Sequence, residues 1–231
     1  MKFSLARRLA AEFLGTAFLV AAVVGSGIMG ERLAGGNVAL ALLANTIATG
    51  AALVALILTF EGISGAHFNP AVTLAVAMSG GLSRAETSQY IFAQVIGGLS
   101  GAIAAHVMFG LPVVSLSQHA RSGAAQVFSE FVATFGLLAV ICGCARFRPH
   151  VVAFAVGAYI TAAYWFTAST SFANPAVTIA RSVSDTFSGI RPSDAPAFVL
   201  AQLTAAVAAT FLFRWLLPKA PKESEISMAK P

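Results

Sequence analysis

Two Asn-Pro-Ala turns, Asn69-Pro70-Ala71 and Asn174-Pro175-Ala176, are the residues of this chain best equipped to handle a solute. Asparagine is a strong helix N-cap, and proline suits the first helical position, where its missing N–H had no partner to lose. With the side-chain oxygen accepting from a backbone N–H of the first turn, the amide NH₂ group is left free and fixed in direction. A helix N-terminus also carries roughly half a positive elementary charge. Two such turns meeting face to face would offer two oriented donors to a passing oxygen atom and a positive barrier to cations, hydronium included. One copy alone is simply a capped helix start; two in matching settings point to a paired role. The other chemical groups of note are Glu12 and Glu130, carboxylates set inside apolar stretches, where insertion costs at least about 2.5 kcal/mol.

The elements that must position these groups are apolar. Of 231 residues, 58% are hydrophobic and 10% charged, against about 25% charged in a soluble domain, and the mean hydropathy is +0.82. That much apolar surface needs lipid to cover it. Six stretches, 8–29, 38–60, 86–108, 126–145, 150–166 and 195–217, approach or reach the roughly 20 residues that span a bilayer core. The first, with Lys2, Arg7 and Arg8 ahead of it, has the outline of a signal peptide. Its length and its Glu12 suit a retained spanning helix better. Two shorter apolar stretches, 68–78 and 172–183, are half-spans of ~15 Å. A half-span cannot end in lipid, so each must be buried in protein or line a water-filled cavity.

The net charge of +5 does not form a patch, so nucleic acid is not an expected partner; the lipid bilayer is. Ten of the 14 lysines and arginines fall on the side of the termini, and Arg32, Arg121, Arg181 and Arg191 fall on the other. The positive-inside rule then places both termini in the cytoplasm, as expected of a multi-pass protein of the inner (plasma) membrane. Cys142 and Cys144 lie in an apolar segment without metal-ligand spacing and are read as packing residues, so neither metal nor cofactor is expected.

The chain also resembles itself. Ala11–Thr16 returns as Ser129–Thr134, Tyr90–Gln94 as Phe198–Gln202, and Asn69–Ala75 as Asn174–Ala180, at offsets of 118, 108 and 105 residues in the same order. Each half holds three spans, so the second half is inverted, with its interrupted helices at the repeat interface near the midplane. Small residues recur every fourth position at Ala93, Gly97, Gly101 and Ala105 and at Ala201, Ala205 and Ala209, a spacing that suits close helix packing. The expected fold is therefore an all-α membrane protein with six transmembrane helices and two re-entrant half-helices in an inverted repeat. It forms one domain, 1–217, with repeats at about 1–108 and 126–217, followed by a polar, disordered cytoplasmic tail, 218–231.

Nearly the whole sequence resembles the major intrinsic protein (aquaporin and aquaglyceroporin) family. The two turns carry the likeness, with the run Ser64-Gly65-Ala66-His67-Phe68-Asn69-Pro70-Ala71-Val72-Thr73, Glu12 and Glu130, and Ala93-Gln94. The resemblance implies a homotetramer with one pore per subunit. It also implies that Glu12 and Glu130 face inward and accept hydrogen bonds from the loops holding the half-helices. His67 matches the family's cytoplasmic pore lining, with a satisfied core histidine as the other reading.

The departure lies at the family's narrowest point, where an arginine normally follows the second turn and this chain has Val177. By spacing, Thr49 and Ser171 complete the filter with one position of helix five. Counting back from Asn174 gives Ala162, and aligning through Gly157 gives Tyr164. Losing the guanidinium removes up to five donors, so the constriction should be wider and less rejecting of cations. Arg181, about one turn beyond Val177, reads either as a solvated loop arginine or as restored positive charge at the outer vestibule.

The expected function is passive, non-enzymatic diffusion of small neutral solutes: glycerol-like polyols, urea, neutral metalloid hydroxides such as arsenous acid, and water. Some bacterial relatives with a non-arginine filter are associated with arsenic resistance, and that resemblance raises the metalloid reading. A water-selective channel is the alternative. Other classes are a secondary transporter, for which the spans lack acidic coupling sites beyond Glu12 and Glu130, and a non-conducting structural or adhesion protein.

Overall fold

Apolar stretches become spanning helices where capping chemistry starts and stops them. The computed structural model describes residues 3–217, all of whose regular structure is helical; the tail expected at 218–231 lies outside the described residues. In chain order the elements are α1 (Leu5–Leu33), α2 (Val38–Ser64), α3 (Pro70–Met78), α4 (Arg84–Met108), α5 (Ala124–Phe147), α6 (Val152–Phe166, after a 3₁₀ turn Pro149–Val151), α7 (Pro175–Arg181) and α8 (Ala195–Leu216). Asn37 caps α2 by accepting from the Leu40 N–H, and Ser83 and Glu86 form a reciprocal capping box on α4. Helix α2 continues past the expected end at residue 60. It stops only at Gly65, whose φ of 90° takes the left-handed conformation of a C-cap.

Six of the helices, counting the 3₁₀ turn with α6, are long and apolar enough to cross a bilayer. Six crossings return the chain to the face it started from; the opposite face is called distal below. Phe18, Phe92, Phe128, Leu200, Phe211 and Trp215 are each three-fifths or more exposed on the outer surface, which lipid would cover.

The small-residue stripe packs helix on helix within the chain. A Cβ on Gly97 or Gly101 would fall on the carbonyl oxygens of Phe13 and Ala17, so α1 and α4 touch backbone to backbone there. In the second repeat the equivalent positions, Ala205 and Ala209, are fully buried in α8. Gly101→Leu is expected to force α1 from α4 and lower stability by about 3 kcal/mol. A thermal melt in detergent, followed by monodispersity, reads the effect; an unshifted melting temperature would show the contact to be unimportant.

The half-helices are shorter than the apolar stretches that contain them, because each begins only at its proline. The residues just before are irregular. Ala66, Phe68, Thr170, Ser171 and Ala173 all have positive φ between 48° and 61°, and none is glycine. Such conformations cost about 1–3 kcal/mol each and persist only where surroundings over-determine them.

Candidate functional site

Those strained residues aim the backbone groups that hold the two turns together. Asn69 Oδ1 accepts from the Ala71 N–H at 2.9 Å, and Asn174 Oδ1 accepts from Ala176 at 3.0 Å and Val177 at 3.3 Å. Across the repeat interface, Asn69 Nδ2 donates to the Ala173 carbonyl at 2.7 Å and Asn174 Nδ2 donates to the Phe68 carbonyl at 2.8 Å. The turns therefore clasp each other reciprocally. The free amide expected from the sequence is only half free: one hydrogen of each NH₂ is used in the clasp, leaving one to face a solute.

Behind each loop sits a glutamate with no solvent exposure. Glu12 accepts from the His67 N–H (3.0 Å), the Phe68 N–H (2.7 Å), Ser64 Oγ (2.6 Å) and Gln94 Nε2 (2.8 Å). Glu130 accepts from the Phe172 N–H (2.9 Å), the Ala173 N–H (2.8 Å) and Gln202 Nε2 (2.6 Å). The same two glutamines donate to Thr73 Oγ1 at 2.8 Å and Thr178 Oγ1 at 2.9 Å, tying each cradle to the first turn of its half-helix. A carboxylate, acceptor-only with about four lone-pair sites, suits converging donors.

A cavity of about 240 Å³ carries both asparagines in its wall, with residues from Glu61 and Pro149 near the terminal face to Tyr164 and Arg181 near the distal one. Leu19, Leu53, Ile57, Val156 and Ile160 make much of its wall apolar. His67 borders it, with Nδ1 3.1 Å from Thr73 Oγ1.

Toward the distal end Thr49, Tyr164, Ser171 and Val177 all border this cavity. Of the two helix-five positions left open by spacing, Tyr164 is buried against it, its hydroxyl 3.3 Å from Thr49 Oγ1. Ala162 is exposed on the outer surface and does not line the cavity. Two residues along a helix turn a side chain to the opposite face, so the count back from Asn174 fails where the intervening loop is shorter. Ser171 Oγ is buried with no hydrogen-bond partner among the described residues.

Arg181 is no solvated loop arginine: it is 1% exposed. Its Nε donates to the Ser188 carbonyl, and Cζ lies 3.3 Å from the centroid of the Phe172 ring. Arg121, in the loop between α4 and α5, approaches the same ring at 5.0 Å. It donates from Nε to the Gly189 carbonyl (2.8 Å) and from Nη1 to the Ser169 carbonyl (3.3 Å). Burial pushes the Arg121 guanidinium down to about 10. Burial, with Arg121 and Arg181 adding to it, also lowers the nearby His119. The loop is strapped down by Ser115 and Ser117 N–H groups on the Val183 and Ser182 carbonyls, and by His106, which bridges the Pro112 carbonyl and Ser184 Oγ.

Sequence reasoning missed Arg121, Phe172 and His106, whose contacts span tens of residues. It also missed Thr73 and Thr178, although they occupy matching places in the repeat and could have been found there.

The profile of the family described as Major intrinsic protein matches residues 1–150 and 145–230. The chain is 58% identical over 219 residues to Aquaglyceroporin AqpS of Rhizobium meliloti (strain 1021), covering 95% of this chain and 94% of that protein. It is 31% identical to Probable aquaporin AqpM of Archaeoglobus fulgidus, covering 94% of this chain and 99% of that one. The fold is similar to the X-ray structure of the aquaglyceroporin from Plasmodium falciparum, with a TM-score of 0.70 at 23% identity over 92% of this chain and 95% of that one. With the profile crossing both repeats and a 58% identical relative spanning nearly the whole chain, the protein belongs to the major intrinsic protein family of passive small-solute channels.

Proposed function

We propose that this channel passes small neutral hydroxylated solutes larger than water, namely glycerol-like polyols and neutral metalloid hydroxides such as arsenous acid, with water alongside. The carrying observation is Val177 in the cavity wall, facing the same space as Thr49, Tyr164 and Ser171. An aliphatic side chain there leaves room for a carbon or metalloid backbone, while the unpartnered Ser171 Oγ and the remaining hydrogens of the two asparagine amides can serve its hydroxyls. The apolar part of the wall suits the carbon face of a polyol. The name of the 58% identical relative, an aquaglyceroporin, supports this reading.

The filter is accordingly assigned to Thr49, Tyr164, Ser171 and Val177. The distribution of basic residues supports cytoplasmic termini in the plasma membrane, and the family supports a homotetramer. Liposomes carrying the protein are expected to re-swell in glycerol and take up arsenite faster than empty vesicles; equal rates would end the proposal. The bulk of Tyr164 and Arg181 at the distal end favours the second reading, a water-selective channel. Fast water entry with no glycerol entry would establish that one instead.

A further inference from the structure

We propose that Arg181 is the cation that screens solutes in this channel, acting one helical turn distal of the position where the family normally carries its filter arginine. The inference rests on the channel reading above and adds a specificity residue to it.

Side chains on a helix lean toward its N-terminus. Arg181, the last residue of α7, therefore reaches back toward Val177 and the Asn174 turn instead of out to solvent. Four residues of helix rise about 6 Å, a gap that an extended arginine covers, and valine at 177 leaves the space open. The phenyl ring of Phe172 beneath and the Ser188 carbonyl on Nε hold the guanidinium in place.

The two terminal amino groups of Arg181 make no hydrogen bond to any described residue, although the side chain is 1% exposed and borders the cavity beside Tyr164 and Val177. Arg181 borders the cavity, so oxygen atoms in transit can accept from these donors.

Nor does the guanidinium have an ion-pair partner among the described residues. Neither of the two salt bridges among the described residues includes Arg181 or Arg121. Asp185 accepts from the Gln118 N–H, Asp194 is engaged by Arg121 N–H and Arg191, and Glu130 is used by its loop. A cation entering from the distal face thus meets an unpaired guanidinium before the half-charges of the helix ends. A neutral hydroxylated solute meets donors.

Vesicles carrying the full-length protein, Arg181→Met or Arg181→Lys are compared for glycerol entry by light scattering and for sodium and proton leak by dye fluorescence. The parent is expected to pass glycerol and stay tight to both cations. Arg181→Met is expected to leak sodium and protons at least about tenfold faster, with glycerol entry reporting only that the channel has assembled, and Arg181→Lys stays tight. An Arg181→Met protein that passes glycerol yet remains tight overturns the proposal, as does a parent that leaks sodium. If Arg181→Met does not assemble, the exchange Val177→Arg with Arg181→Val takes its place. It is expected to be cation-tight with glycerol entry reduced about tenfold, and a leaky exchange protein overturns the proposal. Glycerol entry in the parent reports separately on the channel reading.

Discussion

Glu130→Gln is expected to destabilise the protein by at least about 3 kcal/mol and abolish solute flux. The carboxylate accepts on Oε1 from the Phe172 N–H and on Oε2 from the Ala173 N–H and Gln202 Nε2. Glutamine has the same shape but presents one acceptor and one NH₂ group. Whichever way the amide turns, donors face a donor at zero solvent exposure. Each buried group so orphaned costs about 1–3 kcal/mol. The loss falls where it is least affordable, because Thr170, Ser171 and Ala173 are already held at positive φ. Releasing them swings the Ala173 carbonyl away from Asn69 and opens the clasp. Thermal unfolding in detergent and glycerol flux in liposomes check both effects; a stable, conducting Glu130→Gln protein would show that the loop holds itself. Glu12→Gln should behave alike, since four donors converge on that carboxylate.

Val177→Arg is expected to lower glycerol entry at least about tenfold relative to water, equivalent to about 1.4 kcal/mol on the barrier. The new side chain enters the cavity that Thr49 and Tyr164 also line, so the passage narrows. It also places a second guanidinium one turn from Arg181, whose side chain leans toward it. Two unit charges about 6 Å apart repel by about 3 kcal/mol at an effective dielectric constant of about 20, so a lower melting temperature should accompany the loss of flux. Stopped-flow water and glycerol permeabilities on the same vesicles give the ratio directly. If glycerol or arsenite entry is unchanged, the selectivity account fails while the fold is untouched.

Much of the fold was legible along the chain, because its determinants are local or periodic. The spans follow from apolar length, the half-spans from their shortness, and the inverted repeat from sequence matching itself. Helix ends shifted by several residues where capping decided them, as at Gly65. The site was legible where the repeat duplicated it: Asn69 with Asn174 and Glu12 with Glu130. It failed where the repeat or the family spacing broke down. A shortened loop left helix five undecided between Ala162 and Tyr164, and only the facing of α6 separates them. Spacing leaves Arg181 open between a solvated loop arginine and a vestibule charge, and only its packing against Phe172 and Ser188 rules out the first.

Composition and repetition determined that this protein spans a bilayer and brings two asparagine turns together, since hydrophobic burial and helix capping act over a few neighbouring residues. Tertiary packing decided how those turns are spent, with one amide hydrogen each given to the opposite loop, and where the distal positive charge sits. Both outcomes depend on partners 104 to 106 residues apart, or on a side chain lodged against Phe172 and Ser188. Contacts of that kind leave no pattern along the chain, because the geometry that creates them exists only once the two repeats have closed on each other.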